Sequence, residues 1–90
     1  MDKFDVATGA VINTRVLQFP AGNFPTTIRS GDLTILPNVR MFAALGSTPS
    51  RLYEINNYSS TNSSASATYL QTLPKDCYGI AYLNGQLEVA

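Results

Sequence analysis

No histidine occurs anywhere in the 90 residues, and Cys77 is the single thiol. Those two facts remove most of the side-chain chemistry available to a small protein. Acyl transfer needs an activated nucleophile and a base to take its proton. The serines here lie in no G-x-S-x-G turn, have no histidine to serve them, and meet no S-x-x-K run that would supply a lysine base. Glycine-rich phosphate cradles of the G-x-x-x-x-G-K or G-x-G-x-x-G type are missing too. A structural zinc would need four thiolates or several clustered carboxylates in place of histidine, and one thiol cannot begin such a set. The carboxylates Asp32, Glu54 and Asp76 are of the kind that hydrolyse glycosides in pairs; in so short a chain they read as turn and surface residues. The sequence therefore implies no catalytic residue, no metal site and no cofactor. What remains is binding.

Two features suit that role. The first is the segment Phe19-Pro20-Ala21-Gly22-Asn23-Phe24-Pro25, where the prolines favour extended backbone and leave a loop carrying two large apolar rings. One reading has both rings closing the end of the chain's own core; the other leaves Phe24 exposed to dock on a partner. The second feature is tyrosine, at positions 53, 58, 69, 78 and 82, a residue favoured at interfaces because it offers area and a polar tip. Tyr78 and Tyr82 alternate with Ile80, which points them to the core. Tyr58 borders a Ser/Asn-rich stretch and is the surface candidate. The expected interface residues are thus Phe19, Phe24 and Tyr58.

Those side chains have to be held by one small domain spanning 1–90. A chain of this length buries a modest fraction of its surface, and small domains commonly compensate with disulfides, metals or partner subunits. With one cysteine and no metal set, association is the compensation left. Six basic and six acidic residues cancel, and only 13% of residues are charged, so there is no cationic footprint for nucleic acid and little mutual repulsion between copies. Residues 1–5, Met-Asp-Lys-Phe-Asp, show neither the basic nor the apolar region of a secretion signal, and no apolar run nears the ~20 residues of a membrane helix. Cytosolic synthesis is expected, without membrane insertion.

Prolines and glycines interrupt the chain at short intervals, separating runs rich in Val, Ile, Thr, Tyr and Phe. That pattern predicts an all-β fold, a small sandwich or barrel of about six to eight short antiparallel strands. The expected strands cover 11–19, 26–29, 32–36, 39–45, 51–58, 77–83 and 86–90. The clearest element is a carboxy-terminal hairpin turning at Asn84-Gly85, the favoured type I′ pair. Its register would pair Leu83 with Gln86, Tyr82 with Leu87, Ala81 with Glu88 and Ile80 with Val89. The run 77–83 is apolar on both faces and so reads as covered on both sides, with Cys77 a small core residue. At Leu36-Pro37-Asn38 a three-residue loop would match the apolar faces of its flanking strands if Asn38 took the left-handed position, but Pro37 is then second in a type I turn, where it is disfavoured. A kink between sheets is the alternative. Residues 56–67, NNYSSTNSSASA, predict a flexible loop or arm, while 65–73 fit a short helix or another strand equally well.

In composition along its whole length the chain resembles small accessory proteins of bacteriophage virions, such as capsid decoration or head-fibre subunits. The shared traits are a leaderless start, little charge, much Ser, Thr and Asn, and many short strands. The resemblance implies a structural protein working with copies of itself, a trimer for instance, or on a larger protein lattice, and a location in the virion. The reading from another class is a monomeric carbohydrate- or ligand-binding module presenting Tyr58.

Overall fold

The computed structural model describes residues 2–14, 16–58 and 64–90. They form nine strands and no helix: β1 (Asp2–Phe4), β2 (Val11–Thr14), β3 (Val16–Gln18), β4 (Ser30–Ile35), β5 (Met41–Gly46), β6 (Arg51–Asn56), β7 (Ser64–Thr72), β8 (Ile80–Leu83) and β9 (Gln86–Val89). The domain is all-β. One five-stranded sheet, in the order β3-β7-β6-β5-β4, is accompanied by two separate hairpins, β1-β2 and β8-β9. Every pairing is antiparallel except β3 with β7, which run parallel. Among the described residues the sheet ends at β3 on one side and β4 on the other, and so does not close on itself.

β5 explains where the core lies. Met-Phe-Ala-Ala-Leu-Gly is buried almost throughout, as a strand covered on both faces must be. Met41 and Ala43 join Tyr53, Ile55, Ala65 and Ala67 on one face of the sheet, with Leu17, Phe19, Tyr58 and Tyr69 packed around them. Phe42 and Ala44 turn the other way, to Cys77 and Ile80, with Leu36, Leu52, Leu87 and Val89 around them. The second face is covered by the β8-β9 hairpin, the first by the loop between β3 and β4. Gly46 ends β5 where a Cβ would run into the Ser30 side chain. That close approach lets the Ser30 hydroxyl donate to the Cys77 carbonyl at 2.6 Å and tie the sheet to the segment leading into the hairpin.

Several sequence expectations shift. Residues 11–19 break into β2 and β3, and 26–29 precede β4 without forming a strand. Cover on both faces belongs to β5, not to 77–83: Tyr78 is 74% exposed and Leu83 61%, because the hairpin is the outermost layer and has nothing outside it. Tyr78 accordingly leaves the core, while Tyr82 stays half-buried. Of the Ser/Asn-rich segment, Asn56 closes β6 and residues 64–67 begin β7, the longest strand; 59–63 lie outside the described residues. The alternation Ser-Ala-Ser-Ala-Thr-Tyr puts Ala65, Ala67 and Tyr69 on the Tyr53 face, where small side chains leave room for neighbouring rings.

The β4–β5 link is the three-residue hairpin loop, displaced by one residue. Leu36 accepts from the Val39 amide at 2.9 Å and donates to the Arg40 carbonyl at 2.8 Å. Pro37 therefore stands first in the turn, where its fixed φ is favoured. The left-handed position falls on Val39, at φ 62°.

Candidate functional site

The three carboxylates that could have done chemistry are each engaged in holding the fold. Glu54 on β6 takes two hydrogen bonds from the Arg40 guanidinium, at 2.8 and 2.9 Å, which hold its carboxyl below the ordinary range. Arg40 in turn lies 5.0 Å over the Phe42 ring. Asp76 pairs with Arg29 at 2.8 Å, and Arg29 also reaches the Ser47 carbonyl and the Thr48 hydroxyl. Asp32 on β4 accepts from its neighbour Leu33 N–H at 2.9 Å and from Ile80 N–H at 3.2 Å. Cys77 is buried to 1% exposure, and desolvation pushes its thiol up, away from the reactive thiolate. Among the described residues no three His, Cys, Asp or Glu side chains gather as metal ligands would, and no helix is long and apolar enough to cross a membrane.

The proline-flanked loop separates the two phenylalanines. Phe19 is half-buried, its ring edge-on to Tyr53 at 5.1 Å. Tyr53 is fully buried at the centre of that face, and its hydroxyl donates to the Asn23 carbonyl at 2.8 Å. Burial raises the Tyr53 phenol's pKa. Arg51, on the same face, holds the Phe24 carbonyl at 3.0 Å. The loop is thus strapped down by its backbone, leaving the Phe24 ring 50% exposed. Tyr58 packs on the same cluster, and its hydroxyl donates to the Val39 carbonyl across the β4–β5 turn. Of the three expected interface residues, only Phe24 presents a free apolar ring.

Larger apolar exposure lies elsewhere, in two places the sequence reading did not single out. At the β4 edge, Ile28, Leu33 and Ile35 are 52%, 49% and 55% exposed; on the amino-terminal hairpin, Phe4, Val6 and Val11 are 54%, 102% and 57% exposed. Leu33 and Ile35 alternate along β4 and share the face of Ala43 and Met41, their direct partners, but the covering loop stops short of them. Phe4 and Val11 are cross-strand partners and so share one face of the β1-β2 ribbon. A sequence signal did exist for that ribbon: Asp5 and Gly9 bracket a turn in which Asp5 caps two amides.

The chain matches no family model, and comparisons with curated proteins and with solved structures likewise give no match.

Proposed function

We propose that this chain is a non-enzymatic assembly module, working as a homo-oligomer or as a subunit of a larger protein lattice, in the manner of capsid decoration or fibre subunits of a bacteriophage virion. The observation that carries the reading is the set of large apolar side chains left open at the β4 edge and on the amino-terminal hairpin. Six such side chains in so small a domain withhold from the core a substantial part of the burial that would stabilise it, at roughly 1.5–3 kcal/mol for each one fully buried. A monomeric ligand-binding module would rest on Tyr58, whose hydroxyl is taken by the Val39 carbonyl.

Sedimentation across a wide concentration range tests the proposal. Mass and thermal midpoint should rise together with concentration, because association then adds to folding stability. A monomer at high concentration with a fixed midpoint would overturn it, and retention of that monomer on a sugar column would favour recognition instead.

A further inference from the structure

We infer that copies of this chain join head to tail, the amino-terminal hairpin of one lying along the free β4 edge of the next. This rests on the assembly reading and names its contact. The hairpin is a built unit without a seat: Asp5 Oδ1 accepts from Ala7 N–H and Thr8 N–H at 2.8 and 3.0 Å, Asp5 N–H donates to the Ala10 carbonyl at 2.9 Å, and Gly9 takes φ 72°. Phe4, Val6 and Val11 stand 54%, 102% and 57% exposed and belong to neither core cluster. A two-stranded ribbon with nothing packed on its apolar face is marginal in water.

The β4 edge is the complementary surface: β8 touches it through the Asp32–Ile80 hydrogen bond, but among the described residues no strand is laddered to its outer side. Because Leu36 N–H points inward to Arg40, ladder alternation turns the backbone groups of Gly31, Leu33 and Ile35 outward. Asp32 satisfies the Leu33 amide, leaving those of Gly31 and Ile35 beside the open Leu33 and Ile35 side chains. Half-exposed side chains of this size present on the order of 100 Å² each, so the six named on the two surfaces supply about half of the roughly 1,200 Å² at which specific interfaces begin. Paired backbone would add much of the rest.

The hairpin cannot lie along the β4 edge of its own chain, because the end of β2 is held beside β3. A single residue separates β2 from β3, and β3 is the edge strand opposite β4. Four strand spacings, about 19 Å, lie between those edges, whereas one residue spans at most about 3.6 Å. Donor and acceptor at opposite edges make a heterologous contact, which builds a ring if its rotation closes and a filament if it does not.

Full-length variants separate the possibilities. Phe4→Lys/Val11→Lys blunts the donor and Leu33→Lys/Ile35→Lys the acceptor. Each alone should weaken self-association about thirtyfold or more. Mixed in equal amounts, the two should form one 1:1 dimer and nothing larger, through the intact edge of the first and the intact hairpin of the second. Leu33→Thr/Ile35→Thr, which keeps strand propensity, should show the same pattern should the lysine variant melt early by circular dichroism. If the donor variant still assembles like the unaltered chain, or the mixture stays monomeric, the head-to-tail contact is overturned while assembly stands. An unaltered chain that remains monomeric overturns assembly itself.

Discussion

The molecule contains two separate two-stranded ribbons that differ in what lies beneath them. In β8-β9 the turn residues Asn84 and Gly85 both take positive φ, 51° and 79°. Its inner face, Ile80, Leu87 and Val89, rests on Phe42 and Cys77. Its open end is tied by paired hydrogen bonds between Gly79 and Ala90 at 2.9 and 3.1 Å, and its side by Asp32. In β1-β2 the turn is equally well made, yet Phe4, Val6 and Val11 face solvent. Turn chemistry decides that a ribbon can form. Packing decides whether it contributes to the fold.

The largest expected effect is a sharp asymmetry between the two ends. Removing 86–90 strips Ile80 of its partner Val89 and uncovers Phe42 and Cys77. With roughly 1.5–3 kcal/mol per buried side chain, the loss of Leu87, Val89 and the cover they give approaches the 5–15 kcal/mol that holds a typical domain. No soluble folded protein should be recovered. Removing 2–10 should leave the thermal midpoint of dilute monomer within a few degrees. Comparable midpoints for both truncations, followed by circular dichroism, would break the contrast.

Cys77→Ser sharpens the contrast from beneath the docked hairpin. The thiol sits among Phe42, Ala44 and Ile80, where a hydroxyl costs about 1–3 kcal/mol unless it finds a partner. The urea midpoint should fall, while the association constant, set at the other ribbon and the β4 edge, should not change. Loss of association in a folded variant would contradict that separation.

How far the sequence revealed these elements follows the same physics. The β8-β9 register was readable to the residue because Asn-Gly turn preference and period-2 alternation specify the same pairing. β7 was obscured because Ser and Ala carry no strong propensity, and burial of Ala65 and Ala67 depends on Tyr53 and Phe19, which come from distant parts of the chain. The exposure of Tyr78 was hidden for a related reason: alternation assigns residues to a face but does not say how many layers lie outside it. Phe19 and Phe24 look alike in sequence and differ only because Tyr53 and Arg51 grip the backbone at Asn23 and Phe24. The carboxylates read as turn and surface residues, whereas Asp32 and Glu54 stand on strands, and their partners were not legible, since Asp76 and Arg29 are 47 residues apart.

A third turn gives a smaller effect of opposite sign. At 37–39 the proline preference wins over the asparagine preference, and the left-handed position falls on a β-branched residue that is 70% exposed, unlike Asn84 and Gly85. Left-handed backbone costs an L residue roughly 1–2 kcal/mol. Val39→Gly should relieve it at little loss of contact, since Tyr58 bonds to the backbone carbonyl there. A gain of about 1 kcal/mol, or about 4–8 °C in midpoint for a domain of this size, is expected. A lower midpoint would mean the valine side chain is needed where it stands.

The smallest expected effect concerns the part of the second face that the docked ribbon leaves open. There Glu54 lies beside Arg40, while Asn56 bonds to Thr68 at 2.7 Å, so polar pairs stand where hairpin side chains cover the rest. The Arg40 hydrogen bonds lower the Glu54 pKa below its ordinary value of 4.5. A carboxyl depressed on folding adds stability that is fully present above its unfolded pKa and is lost as pH falls through the folded one. Arg40 is shifted upward and stays charged throughout that window. The unaltered chain should therefore lose more of its thermal midpoint than Glu54→Gln does as pH drops below about 4.5, and the two curves should run parallel above it. Added salt should narrow the difference only partly, because the bidentate pair is in direct contact and its hydrogen bonds persist when long-range attraction is screened. Coincident acid profiles for the two proteins would show that the pair is held by the fold without contributing to it, leaving the docked ribbon alone to account for the stability of that face.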